Sequence, residues 1–342
     1  LEILVMRHRP DRPALVGAGA ERLAAGTDRI VVTGAGGWLG LATLEMLSGL
    51  LGADFHRRVV CFGAHWRTLK LRDGVRIEQR PIAEIADLPP APSLVLHLAF
   101  VTQGPGMTLD REGYVEANLR LSALVLTALD RIGARAVFLA SSGAVHIRDL
   151  SAGPQSKGLY GALKYIDEAV FADWAGRRGA TAVIGRVFNL SGPYINRRSS
   201  YALSSMIGDA LAGAPVRVRA ATPVFRSYVA IEILMCVVLG LLTEPVAGVR
   251  RFETVGGRVV EMGDLAGLIV KVLGAPGVDR PAFDASAPAD RYVGNGAAFA
   301  PLVRQYGHLR RPLSTQVRQT AAFMAAWPEE ARPGYAPLGA AG

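Results

Sequence analysis

The chain has 342 residues, half of them apolar and a fifth charged, which suits one large globular domain or two modest ones. Its two cysteines, Cys61 and Cys236, lie far apart; this excludes a disulfide framework and a cysteine-based metal site, so we expect a reduced, cytoplasmic protein with no metal. The net charge of +9 comes from scattered arginines without an aromatic-interleaved basic run, so the expected partner is an anionic small molecule and no nucleic acid.

Residues 1–28 are rich in Arg, Pro and Ala; within them "PALVGAGAERLAA" reads as a short helix packed on the outside, and this arm is assigned no chemistry. No secretory signal is legible where the sequence begins, at Leu1. From Arg29 the pattern becomes regular. Short apolar runs at 29–33 (RIVVT), 58–62, 75–79, 93–99, 135–140 and 181–188 read as strands, with segments of helical period between several of them, among them "LATLEMLSGLL", "REGYVEANLRLSALVLTALDRI" and "LYGALKYIDEAVFADWAGRRG". Strands alternating with helices predict a Rossmann-type α/β fold, a doubly wound parallel sheet covered on both faces, over residues 29–190. From Ser191 the segments become short and mixed. We expect a smaller mixed α/β C-terminal lobe for substrate over 191–330, a strand returning to the first sheet near 251–255, and a tail at 331–342. The most apolar window, Tyr228 to Pro245, is interrupted by Glu232 and is too short to span a bilayer; it reads as a buried helix, and no membrane partner is expected.

Three stretches carry chemistry. "VVTGAGGWLG" places Gly34, Gly37 and Gly40 between the first strand and the helix that follows. Such a turn lets backbone N–H groups approach a pyrophosphate, and a helix N-terminus favours its charge. Outside that strand–turn–helix context the same spacing is only a tight turn. The second strand ends "VVCFGAHWR", with no acid from Val60 to Gly63 to hold the ribose hydroxyls of NAD. Arg67 follows in what reads as a loop; it suits the 2′-phosphate of NADP, or is a solvated loop residue. In "LYGALK" Tyr160 and Lys164 stand four apart and so share one helix face. An ammonium group beside a phenol favours the phenolate, which predicts a Tyr160 tuned downwards for proton transfer. Ser142, in "FLASSGAVH" at a strand end, is placed to orient the reacting oxygen.

Together these features resemble the extended short-chain dehydrogenase/reductase superfamily, specifically its NAD(P)-dependent nucleotide-sugar epimerases, dehydratases and reductases, over Asp28 to Met324. "TGAGGWLG" is similar to the family's TGxxGxxG, "LVLHLAF" to its H-x-A-A strand end, "YVEANLRLSALVLTAL" to its N-x-x-G-T-x-N-L-L helix, "GRVFNLSGPY" to its R-x-F-N-x-Y-G-P segment, and "FRSYVAIEIL" to its R-D-F-V-x-V-D-D element. The resemblance implies a catalytic set of Ser142, Tyr160 and Lys164. It also implies cofactor contacts from Gly34, Gly37, Trp38, Leu39, Gly40, Leu98, Ala99, Asn118, Tyr160 and Lys164, alongside Arg67. Asn189, Arg226 and Arg291 would meet a nucleotide-diphosphate sugar, guanidinium forks matching phosphate oxygens. Arg197, Arg198, Arg217 and Arg219 are further cations of the second lobe, either substrate contacts or solvated. A homodimer through the two long helices of the first lobe is implied as well. The sequence departs from the family at Pro81, where an acid near the adenine is usual, at Leu163 and Ser227, and at His146, where many members have Tyr.

The family's 4,6-dehydratases carry an acidic pair after the serine-site residue, whereas here Gly143 and Ala144 follow Ser142. The first expectation is therefore an NAD(P)-dependent epimerase acting through a keto intermediate. The alternatives are an NADPH-dependent 4-keto sugar reductase, then a 4,6-dehydratase or a non-catalytic dinucleotide-binding protein.

Overall fold

The computed structural model describes residues 12–102, 109–147, 157–307 and 311–327. The tail expected at 331–342 and the first eleven residues of the arm lie outside the described residues.

The first strands and helices follow the apolar runs. They are α1 (Ala18–Ala25), β1 (Arg29–Thr33), α2 (Trp38–Leu51), β2 (Val59–Gly63), β3 (Arg67–Lys70), β4 (Arg76–Pro81), β5 (Ser93–His97), α3 (Arg111–Arg131), β6 (Ala134–Ser142), α4 (Lys157–Arg178) and β7 (Thr181–Val187). The second half adds β8 (Leu190–Ser191), α5 (Ala202–Leu211), β9 (Val216–Arg217), β10 (Val224–Ser227), β11 (Val229–Ala230), α6 (Ile231–Leu242), β12 (Gly248–Glu253), β13 (Val259–Glu261), α7 (Met262–Leu273), β14 (Val278–Asp279), β15 (Asp290–Tyr292) and α8 (Leu313–Ala326).

Eight strands form one sheet in the order β12-β7-β6-β5-β1-β2-β4-β3. All its pairings are parallel except β3 with β4. Successive side chains on a strand point to opposite faces, so both faces must be apolar if both are covered. On β1, Ile30 and Val32 face one layer, built with α2 and α6, while Val31 faces the other, built with α3 and α4. This Rossmann-type sheet makes the protein an α/β fold. The chain order reverses at β1, between β5 and β2, and the carboxyl ends of β1, β5, β6 and β7 define the edge where such sheets bind ligands.

The apolar window Tyr228–Pro245 supplies α6, buried at every one of its twelve positions. Among the described residues no helix is long and apolar enough to cross a membrane. The N-terminal α1 crosses α6 backbone to backbone: a Cβ on Gly19 would sit 2.5 Å from the Gly240 Cα. In the second half β10 lies between β13 and β15, and α8 packs with α5 and α7. Arg67 opens β3 and is not in a loop as expected, because Arg67 to Lys70 pair antiparallel with β4.

Candidate active site

The glycine turn has a distinct steric reason at each position. Gly34 has φ +68°, and a Cβ there would lie 2.7 Å from the Ala99 nitrogen, so the turn rests on the Leu98–Ala99 end of β5. A Cβ on Gly40 would fall 2.4 Å from the Ala35 carbonyl, so α2 starts hard against the turn. Gly37 is exposed, and a Cβ there would approach only the Gly34 carbonyl, at 3.2 Å. The first turn of α2 holds no acidic residue, which leaves its N-terminal charge available to an anion. Trp38 and Leu39 are half-buried behind it, and the Trp38 indole N–H donates to the Pro193 carbonyl at 2.8 Å. A cavity of about 60 Å³ opens beside the turn, lined by Gly36, Gly37, Trp38, Lys70, Tyr194 and Asn196 among others. The residues present thus fit the pyrophosphate of a dinucleotide.

Arg67 lies on this turn. A Cβ on Gly36 would sit 1.6 Å from its guanidinium, which donates to the Gln79 carboxamide oxygen at 3.3 Å. Gln79 in turn fills the space beside Gly63, where a Cβ would meet its carboxamide at 2.3 Å. Burial holds the Arg67 pKa below its ordinary value, its Nε is buried without a partner, and among the described residues it forms no ion pair with a carboxylate.

Ser142 ends β6 and is buried. Its Oγ accepts the Ala144 N–H at 3.2 Å, which leaves its own proton for a neighbour. Tyr160 lies close enough for the Ser142 hydroxyl to favour its phenolate. The convergence depends on Gly161: a Cβ there would lie 2.0 Å from the Ala144 carbonyl, so α4 meets the serine turn backbone to backbone. Lys164, also buried, donates to the Ala140 carbonyl at 2.9 Å and lies 3.8 Å from the centre of the Phe100 ring. Burial lowers its pKa to about 8, opposed by Asp167 and Glu168. The expected downward tuning of Tyr160 is not what this arrangement produces. Burial pushes the phenol well up, and the hydroxyl of Ser142 is what favours the phenolate, because the ammonium group is engaged by Ala140 and Phe100.

Asn189 and Arg226 come close to this centre, and Arg291 does not. Asn189 donates to the Tyr292 carbonyl at 3.3 Å. Arg226 is paired with the Asp290 carboxylate at 2.7 Å and lies 5.9 Å from the Tyr292 ring centre. Arg291 is exposed over the Phe225 ring, 4.7 Å away, while its neighbour Tyr292 brings its hydroxyl to 3.2 Å from Ser142 Oγ. Alternation along β15 sends the two side chains to opposite faces. Asn118 is also set back: its amide is occupied by the N–H and C=O of Val101 and the Tyr114 carbonyl, so it shapes the loop after β5. Arg217 is exposed in a pair with Asp209, Arg219 is exposed, Arg198 donates to the Met324 carbonyl, and Arg197 to Thr102 Oγ1.

A sequence profile of the NAD dependent epimerase/dehydratase family matches residues 30–253. The chain belongs to that family. It is therefore an enzyme of the extended short-chain dehydrogenase type. No curated protein matches the sequence. Among solved structures it is similar to the UDP-N-acetylglucosamine 4-epimerase of Methanobrevibacter ruminantium M1 bound to UDP-N-acetylmuramic acid, at 17% identity and TM-score 0.66, over 87% of this chain and 98% of that one. It is similar also to the UDP-glucuronic acid 4-epimerase of Bacillus cereus in complex with NAD, at 15% identity and TM-score 0.65, over 90% and 99% of the two chains. A third is an NAD dependent NDP-hexosamine 5,6-dehydratase involved in tunicamycin biosynthesis, at 18% identity and TM-score 0.63, over 87% and 97%. These likenesses establish the fold.

Sequence reasoning missed Phe100, Gly161 and Tyr292. Phe100 stacks edge-on against Tyr160, with ring centres 5.2 Å apart, as well as under Lys164. The glycine directly after the tyrosine was a legible signal for Gly161. For Tyr292 nothing local distinguished it from Arg291 beside it.

Proposed function

We propose that the protein is a nucleotide-sugar epimerase acting by hydride transfer at a sugar carbon through a keto intermediate, with a nucleotide-diphosphate sugar as substrate. The observation that carries this reading is the convergence of the Ser142 hydroxyl with the Tyr160 phenol at the carboxyl edge of the sheet, next to a glycine turn shaped for a dinucleotide. When bound, the nicotinamide supplies hydride acceptance and return. Tyr160 exchanges the proton of the reacting sugar hydroxyl, and Ser142 holds that oxygen and hydrogen-bonds the phenolate as it forms. Lys164, with Phe100 and Ala140 fixing its ammonium, adds positive charge at the same edge. Gly143 and Ala144 leave the serine turn without a carboxylate for elimination of water. Arg226 is placed to exchange Asp290 for a substrate phosphate, and Asn189 to meet the substrate beside Tyr292. UDP-N-acetylmuramic acid in one similar structure supports the choice of a nucleotide sugar, and NAD in another supports a nicotinamide dinucleotide in general.

The dinucleotide we assign is NADP. Arg67 is a partly buried cation without a carboxylate partner at the place where an NAD-binding acid would stand, and it suits a 2′-phosphate. A second reading, an NADPH-dependent 4-keto nucleotide-sugar reductase, is favoured by this same arginine and by the burial that keeps Tyr160 protonated, ready to protonate an alkoxide. We further assign a cytoplasmic homodimer, with Leu119 and Leu124 of α3 and Tyr165 and Ile166 of α4, all exposed, at the joint.

Incubating the protein with a panel of nucleotide sugars and each dinucleotide tests the reading. A stereoisomer formed without net change in nicotinamide absorbance is the expected result. Stoichiometric consumption of NADPH assigns the reductase instead, and dinucleotide binding with no turnover of any sugar overturns both.

A further inference from the structure

The serine turn touches the 292–295 segment at its first end and, at its last end, the closing residue of β12, which that same segment also contacts. Ser142 opens a single helical turn, Gly143–His146. At its first end the Ser142 hydroxyl lies 3.2 Å from the Tyr292 hydroxyl. At its last end His146 Nε2 lies 2.5 Å from Glu253 Oε1, at the end of β12. The other oxygen of Glu253 accepts the backbone N–H of Asn295 at 2.8 Å. Tyr292 and Asn295 are three residues apart, and Gly294 between them packs so closely that a Cβ would lie 2.7 Å from the Thr254 carbonyl. This segment is therefore packed directly against the end of β12.

Charge completes the link. Burial pushes the Glu253 carboxyl up, but the Asn295 N–H, then His146 and Arg186, hold it below the usual carboxylate range. Arg186 reaches Glu253 at 3.3 Å and grips Glu168 of α4 through two bonds, at 2.7 and 2.9 Å. Glu168 also accepts the hydroxyl of Ser141, the residue before the reacting serine, at 2.5 Å. Glu253, Arg186 and Glu168 are thus the charged groups behind His146, and the chain runs back to the helix that carries Tyr160.

We propose that His146 is a positioning residue: through Glu253 it fastens the serine turn to the 292–295 segment, so that Ser142 is aligned on Tyr160 when that segment is seated. Seating the second lobe around a substrate and aligning the proton relay are then one event. This rests on the reading of Ser142 and Tyr160 as the reacting pair. It gives a role to a position where the resemblance leads one to expect tyrosine, and to a histidine that no step of the chemistry uses.

The test compares wild type with His146→Phe, which keeps a ring and removes the donor, and His146→Gln, which keeps a donor. Misalignment of a reacting group by about 1 Å costs up to roughly a hundredfold in rate. We expect kcat of His146→Phe to fall about ten- to a hundredfold, with KM for the nucleotide sugar and dinucleotide affinity within about twofold, and His146→Gln to recover most of the loss. Hydrogen exchange supplies a readout independent of turnover: amides of 292–295 should exchange faster in His146→Phe, together with those of 142–147. Unchanged kcat, an equal loss in both variants, or faster exchange confined to 142–147 overturns the proposal. Should wild type turn over no nucleotide sugar, the functional reading fails while the exchange comparison still decides the link.

Discussion

Replacing Arg67 with alanine separates the two dinucleotides. The guanidinium lies over Gly36 with one bond to Gln79 at 3.3 Å, an unpartnered buried Nε and no carboxylate partner among the described residues. Its desolvation is therefore already suffered in the folded protein, and a 2′-phosphate would recover it. A hydrogen bond between charged groups contributes about 1.5–3 kcal/mol, so Arg67→Ala should weaken NADPH roughly ten- to 150-fold. NADH, which has no phosphate at that position, should change by less than about twofold. Stability should barely respond, because removing a partly buried cation that has no carboxylate partner relieves as much as the Gln79 bond supplied; we expect a melting shift under about 2 °C. Calorimetric titration of both dinucleotides into wild type and variant, with a thermal melt of each, makes the measurement. Equal losses for NADPH and NADH, or no loss for either, would refute the assignment, and a collapse of the melting temperature would show that Arg67 is structural.

Tyr160→Phe should lower kcat about 10²- to 10⁴-fold and leave dinucleotide affinity intact, since only the proton-transferring oxygen is removed; parallel loss of binding in the titration would contradict this role. Gly161→Ala places a methyl 2.0 Å from the Ala144 carbonyl and should force α4 off the serine turn. The expected cost is about 1–3 kcal/mol in urea unfolding, with turnover lost more severely than dinucleotide binding; wild-type stability and rate would mean that the close approach is not needed. Lys164 has a pKa near 8 in the folded protein against 10.5 for the free side chain. Between those values the unfolded chain holds a proton that the folded chain lacks, so stability must rise with pH across that window. Relative to Lys164→Met, wild type should gain up to about 3 kcal/mol from pH 8 to 10.5, read by chemical denaturation at each pH, and a flat difference would mean that the amine is not desolvated.

Much of the eight-stranded sheet is legible in the chain because its signals are local. In RIVVT the three consecutive central residues Ile30, Val31 and Val32 are apolar, and burial on both sheet faces requires that; the observed β1 has the same bounds. The return of β12 to β7 matches the strand expected near 251–255, but its start three residues earlier, at Gly248, was not legible. β3 was missed altogether: a four-residue edge strand, Arg-Thr-Leu-Lys, is too short to carry a distinctive period. That single miss left Arg67 looking like a loop residue, when its pairing with Gln79 is what lays it on the glycine turn.

The sequence by itself determined the alternation of strand and helix, the glycine turn, and the order serine, tyrosine, lysine, because each of these is written in periodicity or short spacing. Only the tertiary structure decided which groups meet. The direction of the Tyr160 shift follows from burial, which depends on every layer around the phenol. The choice of Tyr292 over Arg291 at Ser142 depends on which face of β15 turns towards the serine turn. Contacts between residues 150 positions apart are set by packing, and no local pattern encodes them.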